Sequence, residues 1–130
     1  MTQDIQKYAA IIKSLHAKTD AKSLEWEHVE GAVEVGIGLN KTVSLSEFHS
    51  NDGEPYERLT VRNNFTGGEV VFVDSDLPRW LEAPLPFESW YLAMKALREK
   101  AQRQASGVDG ILDDLISDLG AEVEEDDLPF

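Results

Sequence analysis

Residues 32–48 read AVEVGIGLNKTVSLSEF, and residues 56–73 read YERLTVRNNFTGGEVVFV. In the first stretch Val33, Val35, Ile37 and Leu39 alternate with other residues, and Val43 and Leu45 resume the pattern after the LNK turn signal. In the second, Leu59 and Val61 alternate with Arg58, Thr60 and Arg62. A period of two places one set of side chains on each face of a strand. Here one face is apolar and the other polar, so the sheet is antiparallel, covered on one side and wet on the other. LNK, SNDGEP and NNFTGG supply the turns. These signals predict a meander of three or four strands, with a short additional strand near Trp26, three to five in all.

A small sheet alone is marginal in water, so helices must cover its apolar face. Residues 3–18 have Ile5, Tyr8, Ile12 and Leu15 at spacings of three and four, which predicts an amphipathic helix. Residues 75–88, with prolines at 78, 84 and 86, read as a linker. A second helix follows with Trp90, Met94, Leu97 and Ala101 on its apolar stripe, and with Lys95, Arg98, Lys100 and Arg103 it is the most basic element of the chain. Ser106 and Gly107 break it. A third helix then carries Val108, Ile111, Leu112, Leu115, Ile116 and Leu119, and Gly120 stops it. The expected core is Ile5, Tyr8, Ile12, Leu15, Val33, Val35, Ile37, Leu59, Val61, Val71, Phe72 and Trp90. The fold class is therefore α+β, with one domain over residues 1–120 and a disordered acidic tail over residues 121–130. The stripe of residues 108–119 is too wide for a solvated helix, so this helix is expected to pack on the body or to form a homodimer.

The charge is uneven. The chain has 25 acidic and 12 basic residues, a net charge of −13. Nine of those acids lie from Asp109 onward, where no base occurs. Binding to a nucleic-acid backbone needs a basic surface, so direct nucleic-acid binding is not expected; a basic protein surface is the better complement. With no cysteine, disulfides, cysteine–zinc sites and thiol nucleophiles are excluded. His16, His28 and His49 lie in separate elements and have no metal-like spacing. GIGLNK lacks the further glycine of a dinucleotide fingerprint, and no nucleophile-elbow pattern occurs. Neighbouring acids such as Asp113 and Asp114 do not face each other across a substrate on a helix. The expectation is a non-enzymatic protein without cofactor or metal. No apolar run is long enough to span a bilayer and no basic, apolar leader opens the chain, so a cytoplasmic protein without membrane contact is expected.

The last seven residues are EEDDLPF. Phe130 offers a ring for a pocket, and its α-carboxylate can pair with an Arg or Lys at the pocket mouth. Pro129 limits the entropy lost on docking, and Asp126 and Asp127 steer the segment toward basic surface. This stretch closely resembles the C-terminal tip of bacterial single-stranded-DNA-binding proteins. In that family the terminal carboxylate is part of the epitope, and the tip recruits enzymes such as exonuclease I, RecQ-type helicases and primase. The resemblance implies that Asp126, Asp127, Leu128, Pro129 and Phe130 bind a protein partner with a basic, aromatic-accepting pocket. It does not extend to the body, which lacks the long linker and the basic groove of that family. The body is loosely similar to an uncharacterised group of small bacterial and phage α+β proteins, through LEWE at residues 24–27, the YERLTVRNNFTGGEV meander and the ALREKAQRQASGVDGILDDLISDL helices. The leading expectation is an interaction protein acting through its tip. The alternatives are a phage-type single-stranded-DNA-binding protein with its own barrel, or an acidic anti-defence decoy whose binding survives loss of Phe130.

Overall fold

The computed structural model describes residues 2–121. The chain order is α1 (Thr2–Asp20), β1 (Glu27–Val29), β2 (Ala32–Ile37), β3 (Lys41–His49), β4 (Pro55–Asn63), β5 (Glu69–Val73), a 3-10 turn (Asp74–Asp76), α2 (Trp90–Ser106) and α3 (Val108–Leu119). The five strands form one sheet in sequence order, with every neighbouring pair antiparallel. Both the α+β class and the meander follow the alternation in the sequence. The sheet is open, with β1 and β5 as its edges, and does not close into the barrel that the single-stranded-DNA-binding alternative would require.

Period-two patterning sets the core. Val33, Leu45, Leu59 and Phe72 are cross-strand partners in one row, and none is more than 1% exposed. The next row, Val35, Val43, Val61 and Val70, is buried at β2 and β3, half-buried at Val61, and exposed at Val70 on the edge strand. The α2 helix lies across this face with Trp90, Ala93, Met94, Leu97 and Ala101 buried. It starts at Ser89, whose hydroxyl accepts the Leu92 N–H at 3.1 Å, as an N-cap should. Helix α1 packs beside α2, and Tyr8 stacks on Phe72 with ring centroids 4.0 Å apart.

Two expectations are corrected. Val71 is exposed, not core. It neighbours the inward Phe72, and adjacent residues of a strand point to opposite faces. Residues 75–88 are not a free linker. Leu77 is buried, Leu81, Ala83 and Phe87 pack against the core, and Trp90 Nε1 donates to the Leu81 carbonyl at 2.7 Å. The prolines forbid a helix there but do not prevent packing.

Trp26, also buried, donates Nε1–H to Thr19 Oγ1 at 3.1 Å, and Gln104 Nε2 donates to the Thr19 carbonyl at 2.7 Å. The end of α1 is thereby fastened both to the segment entering β1 and to α2. No helix among the described residues is long and apolar enough to cross a membrane.

Candidate functional site

Asp126, Asp127, Leu128, Pro129 and Phe130 lie outside the described residues. The structure does describe the element that leads to them. Gly107, at φ 65°, is left-handed and serves both as the C-cap of α2 and as the N-cap of α3. Only glycine takes this conformation without steric cost, and it allows one helix to end and the next to begin within a single residue. Gly120, at φ 67°, closes α3 in the same way, with its N–H on the Ser117 carbonyl and the Ala121 N–H on the Ile116 carbonyl.

Helix α3 does not bury its stripe. Ile111, Leu112, Leu115 and Leu119 are 46–71% exposed, and Val108 and Ile116 are half-buried. Of the two expected arrangements, packing onto the body is thus absent for most of this face. Among the described residues no buried side chain lies beyond Ala101. Among the described residues the buried core is complete before α3 starts.

A second surface is the uncovered side of the sheet. Thr42, Ser44, Ser46, Arg58, Thr60 and Arg62 line a shallow depression of about 370 Å³ there, together with Glu34, Glu69 and Val71. At one end Phe48 and Tyr56 stack with centroids 5.3 Å apart, and the Arg58 guanidinium lies 5.1 Å from the Phe48 ring centre. The arrangement offers an aromatic platform next to a cation, but carboxylates share the depression with its two arginines. It is not the basic groove that tracks a nucleic-acid backbone.

Two buried polar clusters hold helices to their neighbours. The carboxylate of Glu57, 2% exposed on the inward side of β4, accepts Arg98 Nε–H at 2.7 Å and Arg98 Nη2–H at 3.0 Å. Arg98 also reaches Glu47 at 3.3 Å, and Asp74 accepts the Glu57 N–H at 2.8 Å. Burial pushes the Glu57 carboxyl above the usual carboxylate value, while Arg98 pulls it back. This cluster fixes α2 on the sheet and is closed on itself. The strand pattern carries a signal for it, because Glu57 occupies the inward phase with Leu59 and Val61.

His16, 7% exposed, lies between α1 and α2. Its Nε2 is 2.6 Å from the Ala93 carbonyl and its Nδ1 is 3.3 Å from Lys100 Nζ. A carbonyl can only accept and an ammonium can only donate, so the ring is the neutral Nε2–H tautomer. Burial lowers its pKa from 6.5, and the nearby Lys100 adds to this. For a base with a depressed folded pKa, the contribution to stability is present above the unfolded value and is lost as pH falls through the folded one. Wild type is therefore expected to lose stability relative to His16→Gln as pH drops from about 7 towards about 5, because the amide can keep the Ala93 bond and does not titrate. Parallel urea melts at each pH check this; a constant gap between the two chains would refute the assignment.

His28 bonds Ser106 Oγ at 2.9 Å, and no group of three or more metal-ligating side chains occurs among the described residues. No protein-family model, curated protein or solved structure matches this chain.

Proposed function

We propose that the chain is an interaction protein that acts without catalysis. Asp126, Asp127, Leu128, Pro129 and Phe130 dock on a basic, aromatic-accepting pocket of a DNA-metabolism enzyme. The observation that carries this reading is the division of labour along the chain. The core closes by Ala101, and beyond it lie a capped helix and an acidic, aromatic-ended sequence. In docking, the Phe130 ring fills the pocket, its carboxylate pairs with a cation at the mouth, and the acids ahead raise the association rate.

Calorimetric titration against a tip-binding enzyme such as exonuclease I tests this. Phe130→Ala is expected to weaken binding by more than ~30-fold, because a buried aromatic anchor is worth upwards of ~2 kcal/mol. A residue added after Phe130 should do similar damage by displacing the carboxylate. Asp126→Asn with Asp127→Asn should chiefly slow association and flatten its salt dependence. Equal binding by the extended chain, or no binding by the wild type, would rule out tip docking.

The Arg58–Phe48–Tyr56 stack favours a second reading, single-stranded nucleic acid on the open sheet face. Glu34 and Glu69 in the same depression oppose it. Anisotropy with oligo-dT at low salt separates the two readings, since tight binding there belongs to the second alone.

A further inference from the structure

We infer that α3 is the seam of a homodimer in which two copies pack antiparallel along Val108–Leu119. The helix sequence VDGILDDLISDL is close to a palindrome. Paired inward from both ends, it matches Val108 with Leu119, Asp109 with Asp118, Gly110 with Ser117, Ile111 with Ile116, Leu112 with Leu115, and Asp113 with Asp114. Every apolar position mirrors an apolar one and every other position mirrors one of its own kind, small or acidic. A two-fold axis through the helix midpoint sets each level of one copy against its mirror level in the other. The apolar levels thus have the self-complementarity that an isologous contact needs and that a helix facing some other surface does not, while the mirrored acids add nothing to it.

The side-chain geometry agrees. At about 100° per residue the six apolar side chains occupy one stripe, while Asp113 and Asp114 fall well outside it. Those acids stay in water when the stripe closes on a copy. The apolar side chains are available, because Ile111, Leu112, Leu115 and Leu119 remain 46–71% exposed beside a core that is already complete. Spacings of four, three and four along 108, 112, 115 and 119 form the seam of a two-helix coil.

Charge selects the direction. A parallel pair would bring both C-terminal ends together, each with Asp118 and the five acids from Glu122 to Asp127. It would also align the two helix dipoles. An antiparallel pair sets opposite dipole ends side by side and separates the two acidic ends by the helix length, roughly 18 Å, about twice the screening length at physiological salt. A seam of twelve residues lies at the small end of specific interfaces, so the dimer is weak and depends on concentration.

Sedimentation equilibrium on the full chain, from ~5 µM to ~500 µM, tests this. The wild type is expected to pass from one copy towards two, and added salt should strengthen association by screening the −13 charge of each copy. That salt response is opposite to the one expected for tip docking, so the two readings fail separately. Leu112→Asp or Leu115→Asp should weaken self-association by more than ~30-fold, as loss of a central anchor does, with an unchanged melting temperature. Asp113→Ser, off the seam, should dimerise as well as wild type. Because the chain has no cysteine, direction is read by mixing Leu112→Cys and Leu115→Cys chains under mild oxidation. The mixed 112–115 disulfide should predominate. A monomer at every concentration, or a dimer that persists in Leu112→Asp, overturns the seam; a predominance of same-position disulfides overturns the antiparallel arrangement.

Discussion

Replacing Arg98 with alanine is expected to cost about 3–5 kcal/mol of stability at neutral pH, the range for removing one partner of a buried ion pair. The cost arises mainly at Glu57. Its carboxylate is 2% exposed and takes two hydrogen bonds from the guanidinium, so the variant leaves a desolvated charge with its principal partner gone. Glu47 and Asp74 nearby add repulsion. The pH dependence gives the loss a signature. Burial already holds the Glu57 carboxyl above its ordinary 4.5, and without Arg98 it rises further. A carboxyl with a raised folded pKa is favoured protonated, so its cost is absent below the unfolded value and grows as pH rises towards the folded one. The deficit of Arg98→Ala should therefore narrow as pH is lowered towards 4.5. The paired change Arg98→Met with Glu57→Leu should recover most of the loss, since an apolar pair of similar volume needs no charge compensation. Urea melts of the three chains decide the matter. A single-variant loss below ~1 kcal/mol would mean that water reaches Glu57 and that the pair is a surface one.

The second large effect is expected at Phe72→Ala, about 3–5 kcal/mol from lost burial and the cavity left behind. Phe72 ends the row Val33, Leu45, Leu59, Phe72 and stacks on Tyr8, so its ring fills the space between α1 and the edge of the sheet. The neighbouring Val71→Ala should stay within ~0.5 kcal/mol, because that side chain is 47% exposed on the opposite face. Chemical denaturation of both variants reads the strand register directly. Similar losses at the two positions would place the pleat one residue away from the register described here.

The contrast between residues 71 and 72 also shows where the sequence is legible. Strands β2 to β4 alternate cleanly, because one face is covered and the other wet, and their inward residues can be assigned by period alone. In β5 the run Val70, Val71, Phe72, Val73 is apolar on both faces, so the period carries no phase information. Cross-strand pairing with Leu59 supplies it. Residues 75–88 mislead for a different reason. Proline reports what a backbone cannot form, while the burial of Leu77 and the packing of Phe87 depend on surfaces brought from elsewhere. The Glu57–Arg98 pair spans 41 residues, a separation at which one sequence indicates an inward charge but not its partner. For α3 the amphipathic pattern and both glycine caps are evident, and its uncovered state is not, since the sequence does not say that the core is already full at Ala101. The tip residues are legible only as a pattern of charge, proline and aromatic ring.

That early completion of the core divides the chain by what natural selection can see. A substitution at a buried position, the last of which among the described residues is Ala101, is tested first by whether the protein still folds, whatever its effect on binding. A substitution at Ile111, Leu112, Leu115 or Leu119 in α3 largely escapes that test, because those side chains are exposed. The body is therefore free to be retained while the segment after Gly107 drifts, is exchanged by recombination or is tuned to a new partner. The glycine between the helices is the natural join for such exchange, since its left-handed backbone ends one helix and starts the next within a single residue.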